Sequence, residues 1–209
     1  MSLLAIMARL SGRLGEAAEH VVALQRAIGT VLRREPWLGF AASFTVTVAG
    51  GVADAVPPFP PAESPDPVVR MAKLVIEAEL TMAGRVDEAL DRVGTGPKSD
   101  LGPIADLAQV FQALAYVLAG RADEARPWIE RAVAAARVLN APTMGAAAAA
   151  LGAEIVGDTT GLPPPPQTAR GVTDVLVLRA YAAQGDTVAR EALRTATEAL
   201  AMPGLMIGL

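Results

Sequence analysis

Apolar residues recur along much of this chain at the three- and four-residue steps of an amphipathic helix. One such stripe consists of Val21, Leu24, Ile28 and Leu32. Leu107–Ala119 and Arg126–Leu139 have the same periodicity on either side of a short polar stretch. The pattern predicts an all-α fold in which consecutive helices form pairs.

The polar stretch Gly120-Arg121-Ala122-Asp123-Glu124-Ala125 has the composition of a tight turn between two helices. A glycine just past a helix end adopts the left-handed conformation without the penalty that a Cβ atom imposes. Asp123 and Glu124 fall where the next helix begins, and negative charge is favourable there. The small Ala125 allows the two helices to approach closely. The stretch therefore predicts an antiparallel helical hairpin.

The same turn recurs along the chain. Gly12–Ala17 and Gly84–Ala89 share its Gly-Arg-x-x-Glu-Ala pattern, and weaker copies begin at Gly50, Gly157 and Gly185. The steps between the six glycines are 38, 34, 36, 37 and 28 residues. A period near 34 residues is typical of a helix–turn–helix solenoid unit. We predict a single domain over residues 1–209, built from five to six partly degenerate helical hairpins.

The unit resembles a tetratricopeptide repeat (TPR), and the best copy runs from about Asp106 to Asn140. Its matching positions are Ala113, Tyr116, Gly120, Ala125, Ile129 and Ala132. It departs from the family at Gln109 and Gln112, where a large aromatic residue and leucine are usual, and it lacks the closing proline. The resemblance implies a right-handed α-solenoid of antiparallel hairpins, with structural turns at Gly12, Gly84, Gly120 with Ala125, and Gly185.

A second resemblance concerns the helix ends near Arg137–Met144 and Glu198–Leu205, where an alanine-rich helix is followed by a short break with proline. This arrangement is similar to the repeat arrays of MalT/LuxR-type bacterial transcription regulators. In that family the array accompanies a nucleotide-binding module and a DNA-binding module, and neither is visible here. The resemblance implies a region that senses a ligand or partner.

Two proline-rich stretches interrupt the helical pattern. Residues 57–67 contain six prolines and residues 162–166 contain four, so we predict connecting loops at both places. A polyproline ligand for an SH3-type domain is the alternative at Pro57–Pro67. The uncharged run Trp37–Ala53 has 17 residues, short of the ~20 that span a membrane, and is interpreted as a buried helix. Leu205–Leu209 has the pattern of a further helix start, which suggests a fragment of a longer protein.

Composition excludes several classes. The formal net charge is −4, so a nucleic-acid surface, which needs clustered Lys and Arg, is not expected. Aromatic residues make up 4% of the chain, which leaves few stacking platforms for bases. There is no cysteine, so disulfides and thiolate metal sites do not exist, as suits a reducing cytoplasm.

No catalytic, metal or cofactor motif emerges, and His20 is the only histidine. We therefore predict a cytoplasmic, non-catalytic protein-interaction scaffold that binds a protein or peptide through its concave side, which the first helix of each unit lines. The side chains predicted to line that groove are Lys73, Glu77, Gln109, Gln112 and Arg179. If the chain is instead a region that senses a ligand, Phe111, Leu114 and Leu118 are predicted to line an apolar ligand pocket. If it is not, these three are core residues. We expect no cofactor and no membrane contact.

Overall fold

The computed structural model describes residues 77–92, 106, 109–200 and 202–209, and, singly, 16, 19, 23 and 74. Several predictions therefore lie outside the described residues. These are the turns at Gly12 and Gly50, the run Trp37–Ala53, the loop Pro57–Pro67 and the side chain of Lys73.

The described part of the chain is helical and contains no β-strand. Its helices are α1 (Val86–Arg92), α2 (Val110–Leu118), α3 (Ala122–Val138), α4 (Pro142–Val156), α5 (Val172–Ala183) and α6 (Thr187–Ala199), followed by a 3₁₀ helix at Pro203–Met206. Residues 77–82 are also helical and precede α1. The prediction of an all-α fold is confirmed for these residues.

From α2 to α6, each helix packs against the next one along the chain, and α2 also contacts α1 and α4. Small residues make this close packing possible. Ala125 and Ala132 of α3 and Ala147 and Ala148 of α4 are completely buried. Larger side chains such as Leu114 fill the space between the helices. One continuous apolar core therefore runs through the described helices.

Four of the connections have only three residues, and the middle residue of each has a positive φ. These residues are Gly84 (φ 86°), Gly120 (71°), Asn140 (49°) and Gly185 (89°). The next amide donates a hydrogen bond to the carbonyl five residues back; Arg121 N to Tyr116 O, for example, is 2.8 Å. This bond satisfies a carbonyl that the end of the helix leaves without a partner.

The Gly-Arg-x-x-Glu-Ala pattern has a direct structural basis in its two described copies. The Arg85 guanidinium donates two hydrogen bonds of 2.6 Å to the Glu88 carboxylate. Arg121 binds Glu124 in the same way, and its guanidinium carbon also lies 5.0 Å above the centre of the Tyr116 ring. The arginine thus pairs with an acidic residue in the first turn of the following helix, while the alanine of the pattern, Ala89 or Ala125, is completely buried.

The proline-rich stretch between α4 and α5 contains no helix over residues 158–171. Helix α4 ends at Val156 and is capped by Gly157, whose φ is 76°. The Tyr181 hydroxyl donates a 3.2 Å hydrogen bond to the carbonyl of Pro163, which holds this connection against α5. Helices α4 and α5 consequently pack together although 15 residues separate them.

The end of the described chain differs from the sequence prediction. Leu205–Leu209 was predicted to begin another α-helix, but the structure has a 3₁₀ helix at Pro203–Met206. Leu205 is completely buried, so this stretch packs onto the helices instead of extending away from them. No helix in the part of the chain that the structure describes is long and apolar enough to cross a membrane.

Candidate functional site

The groove residues predicted from the sequence are buried where the structure describes them. Glu77, Gln109, Gln112 and Arg179 are only 1–3% exposed. An open groove lined by these four side chains is therefore absent, which corrects the placement made from the sequence. The physical reason is that each side chain binds other parts of the same chain.

Glu77 and Gln112 lie 35 residues apart and contact each other inside the protein. The Gln112 side-chain amide donates a 2.6 Å hydrogen bond to the Glu77 carboxylate. Nearby, Gln109 and Arg131 both donate to the carboxylate of Asp106, at 3.2 and 2.8 Å. These polar contacts connect α2 to the helix before α1 and to α3.

Arg179 of α5 has the largest set of contacts among the predicted residues. Its Nε and Nη2 atoms donate to the two oxygens of Glu154 in α4, at 3.0 and 2.7 Å. Its Nη1 atom donates to the backbone carbonyls of Leu205 and Ile207, at 2.7 and 2.9 Å. Arg179 thus joins α4, α5 and the stretch that follows α6.

Burial changes the pKa of Glu154, the acidic member of this ion pair. Removal of the Glu154 carboxylate from water raises its pKa above the ordinary value, and the Arg179 charge and hydrogen bonds oppose this shift only in part. The pair therefore stands in a partly desolvated setting, in which geometry and hydrogen bonding decide its strength.

Residues 202–207, which we call the docked segment, lie against elements from distant parts of the sequence. The 3₁₀ helix in this segment contacts α5 and α6. Met202, Gly204 and Leu205 are buried. Gly204 also packs directly on the turn at Gly84, because a Cβ atom added at Gly204 would lie 2.5 Å from Gly84 N and would overlap the carbonyl of Thr81.

The surface that receives the docked segment is therefore built from two separate parts. One is the Thr81–Gly84 turn, and the other is formed by α5, which carries Arg179, together with α6. We call this surface the cradle. It holds a short stretch of polypeptide by hydrogen bonds from the Arg179 side chain to two backbone carbonyls, by the burial of Leu205 and by the contact of Gly204 with the turn.

A second concave surface lies beside α6, where the end of the proline-rich connection passes close to the helix. This groove has a volume of about 540 Å³. Its lining includes Gln167, Thr168, Thr187, Ala192, Thr195 and Ala199. Apolar atoms form most of its surface, and hydroxyl, amide and carboxylate groups lie along it.

The alternative apolar pocket predicted on α2 is filled with protein. Phe111, Leu114 and Leu118 are 0–7% exposed and belong to the core that α2 forms with its neighbours. Among the residues that the structure describes, no group of three or more His, Cys, Asp or Glu could hold a metal ion.

Sequence reasoning did not find the cradle or the groove beside α6. Arg179 was singled out, but its contacts with Leu205 and Ile207 could not be read from local pattern. The dipeptide Pro203-Gly204 carries the one available signal, since it interrupts the helical pattern between two apolar stretches.

Comparison with known proteins adds no relative. No family model matches the chain, and neither a curated protein nor a solved structure is significantly similar to it.

Proposed function

We propose that the chain is a TPR-like helical-repeat protein whose function is to bind a protein or peptide partner without catalysis. In this proposal five to six hairpins stack into a right-handed α-solenoid. The observation that carries it is the recurrence of one turn. Gly84 and Gly120 stand 36 residues apart with left-handed backbones, the same Arg–Glu fork and a buried alanine five residues on.

The packing of the helices supports the same proposal. Each helix from α2 onward contacts its neighbour in sequence, and α2 also contacts α4, the helix two further along. Contacts between neighbouring units are what a repeat array requires, since each unit buries its apolar face only against the next. Arrays of this kind present extended surfaces suited to polypeptide partners.

Selection from a displayed peptide library tests this function. The full chain is immobilised, and enriched peptides are then titrated against the folded and the urea-unfolded chain. We expect a shared sequence among the enriched peptides and micromolar binding to the folded chain alone. Enrichment without a shared sequence, or equal binding to the unfolded chain, contradicts the proposal.

The groove beside α6 favours a second candidate, a region that senses a small ligand within a bacterial transcription regulator. Its volume of about 540 Å³ falls in the range of roughly 300–1,000 Å³ that is usual for small-molecule sites. A thermal-shift screen against metabolites tests this candidate. A ligand of the groove should stabilise the wild type and the control Val138→Arg, whose site is exposed at the end of α3, but not Ala192→Arg.

A further inference from the structure

We propose that the cradle is a recognition site for an uncharged partner peptide in which glycine is followed directly by leucine. The docked segment then occupies this site as a built-in competitor. This inference rests on the proposed function and adds the chemistry of the partner and the means by which access to the site is controlled.

The glycine requirement follows from the contact between Gly204 and the turn at Gly84. A Cβ atom at position 204 would lie 2.5 Å from Gly84 N and 2.8 Å from Gly84 Cα, and it would overlap Thr81 O. All three atoms belong to the backbone, which cannot move aside as the end of a flexible side chain can. A peptide bound in this register must therefore have glycine at this position.

The peptide residue that follows the glycine, at the position of Leu205, is recognised because it is buried. Leu205 is 0% exposed, and so is Met202 three residues earlier. Both side chains belong to the same apolar core as the helices around them. A bulky apolar residue after the glycine is thus recognised by a closed apolar environment, in which a polar replacement would lose its contacts with water.

Arg179 supplies recognition that does not depend on the side chains of the peptide. Two of its nitrogen atoms are bound to Glu154, which fixes the direction of the guanidinium. Nη1 is then aimed at the carbonyls of Leu205 and Ile207. Since Glu154 belongs to α4, this orientation does not require the docked segment, and the donor is ready for any backbone that enters the cradle.

Charge restricts the partner further. Glu154 balances the charge of Arg179, so the cradle presents no net charge from this pair. Residues 202–209, Met-Pro-Gly-Leu-Met-Ile-Gly-Leu, contain no ionisable side chain. A charged peptide would therefore be desolvated without gaining an opposite charge.

The connection to α6 explains why the segment acts as a competitor. Helix α6 ends at Ala199, only a few residues before the docked segment. Met202 N also donates a 2.8 Å hydrogen bond to Thr197 O, which keeps the segment at the end of α6. A free peptide must therefore displace the segment in order to bind. A partner that supplies the same Gly-Leu sequence and additional contacts elsewhere on the array can do so.

The test uses the full chain and a fluorescent octapeptide with the sequence of residues 202–209. Gly204→Val places a side chain against the Gly84 turn, expels the segment and leaves the cradle open. We expect the octapeptide to bind Gly204→Val at least about tenfold more tightly than the wild type, whose cradle is filled. The matched control peptide has valine in place of its first glycine and should bind neither protein.

Three binding results would overturn the inference: equal affinity for both proteins, equal affinity of both peptides, or no binding to a Gly204→Val protein with a native circular dichroism spectrum. If Gly204→Val loses helical signal, Leu205→Gln, which places a polar side chain at a completely buried apolar position, replaces it. If both variants unfold, the segment is an integral part of the core and the inference is wrong. A wild-type dimer that exchanges the segment would assign the cradle to a second copy and also contradict it.

These outcomes are separate from those of the library selection. Selected peptides that bind the folded chain without competing with the octapeptide would retain the scaffold function and place its binding surface elsewhere. Failure of the selection together with binding of the octapeptide would show that the segment makes a purely intramolecular contact, and it would overturn the recognition of a partner peptide.

Discussion

The guanidinium of Arg179 and the carboxylate of Glu154 form a largely buried, two-point ion pair with N–O distances of 2.7 and 3.0 Å. The pair joins α5 to α4 across a connection that has no helix of its own. It also leaves one guanidinium nitrogen for the carbonyls of Leu205 and Ile207. One side chain thus contributes both to helix packing and to the cradle.

Replacement of Arg179 by methionine should be strongly destabilising, because Glu154 would stay buried without its partner. The expected loss in the free energy of unfolding is about 3–5 kcal/mol, as found when one member of a buried ion pair is removed. The double variant with Glu154→Leu should recover much of this loss. Urea unfolding measures the free energy of unfolding of the single variant and of the double variant. Arg194→Met, at an exposed position of α6, is the control and should change stability little. Similar losses in Arg179→Met and Arg194→Met would contradict this account.

The pH dependence of stability should report the burial of Glu154. Its pKa is raised in the folded state above the reference value of 4.5, so the folded protein holds this proton more tightly than the unfolded chain. The resulting stabilisation is fully present below pH 4.5 and is lost as pH rises through the folded-state pKa.

Comparison of the wild type with Glu154→Gln between pH 4 and 8 isolates the contribution of Glu154 to the pH dependence of stability. The stability of the wild type should fall relative to that of the variant as pH increases from 4.5. Glu124 and Glu191 have lowered pKa values because they bind arginines, so they act in the opposite direction. They are present in both proteins and cancel in the difference. A difference that grows in favour of the wild type with rising pH would show that the Arg179 pairing outweighs burial.

Gly120→Ala tests the left-handed turn between α2 and α3. A Cβ atom at Gly120 meets no other atom within 4 Å, so only the backbone conformation, with φ of 71°, opposes it. We expect a loss of about 1–2 kcal/mol in the free energy of unfolding. Gly152→Ala within α4 is the matched control. A Cβ atom added at Gly152 makes an ordinary 3.7 Å contact. The higher helix propensity of alanine should then stabilise the protein by up to about 1 kcal/mol. Equal changes in the free energy of unfolding for Gly120→Ala and Gly152→Ala would contradict backbone strain at position 120.

Ala125→Leu tests the close approach of helices beside the same turn. Ala125 is 0% exposed, so a larger side chain has no space without movement of α2 or α3. Overpacking of this kind costs about 1–3 kcal/mol. Ala134→Leu, at an exposed position of α3, should have almost no effect. Thermal denaturation of both variants provides the comparison, and a neutral result at Ala125 would show that the helices are not in close contact there.

Local chemistry made much of the helical framework predictable. The stretch from Gly120 to Ala125 combines a residue suited to positive φ, acidic residues for a helix start and a small residue for close packing. Each property acts within a few residues, and the structure has α2 and α3 on either side. Asn140 has the same left-handed backbone, and asparagine is the other residue that tolerates it well.

The candidate site could not be predicted in the same way, because its contacts join distant residues. Glu77 is buried through its contact with Gln112, and Arg179 is covered by backbone that follows α6. Hydrophobic periodicity places these polar side chains on a helix but does not reveal which partner covers them. The need for glycine at position 204 depends on Thr81 and Gly84, more than 100 residues earlier in the sequence.

Hydrogen exchange of the wild type and Gly204→Ala tests most directly whether the docked segment and the Gly84 turn form one site. The backbone amides of Leu205 and Ile207 are bonded within the segment, and that of Arg85 is bonded across the turn. We predict that all three lose protection together in Gly204→Ala, while the Arg121 amide at the α2–α3 turn keeps its protection. Faster exchange in the segment alone, with an unchanged rate at Arg85, would contradict the shared site.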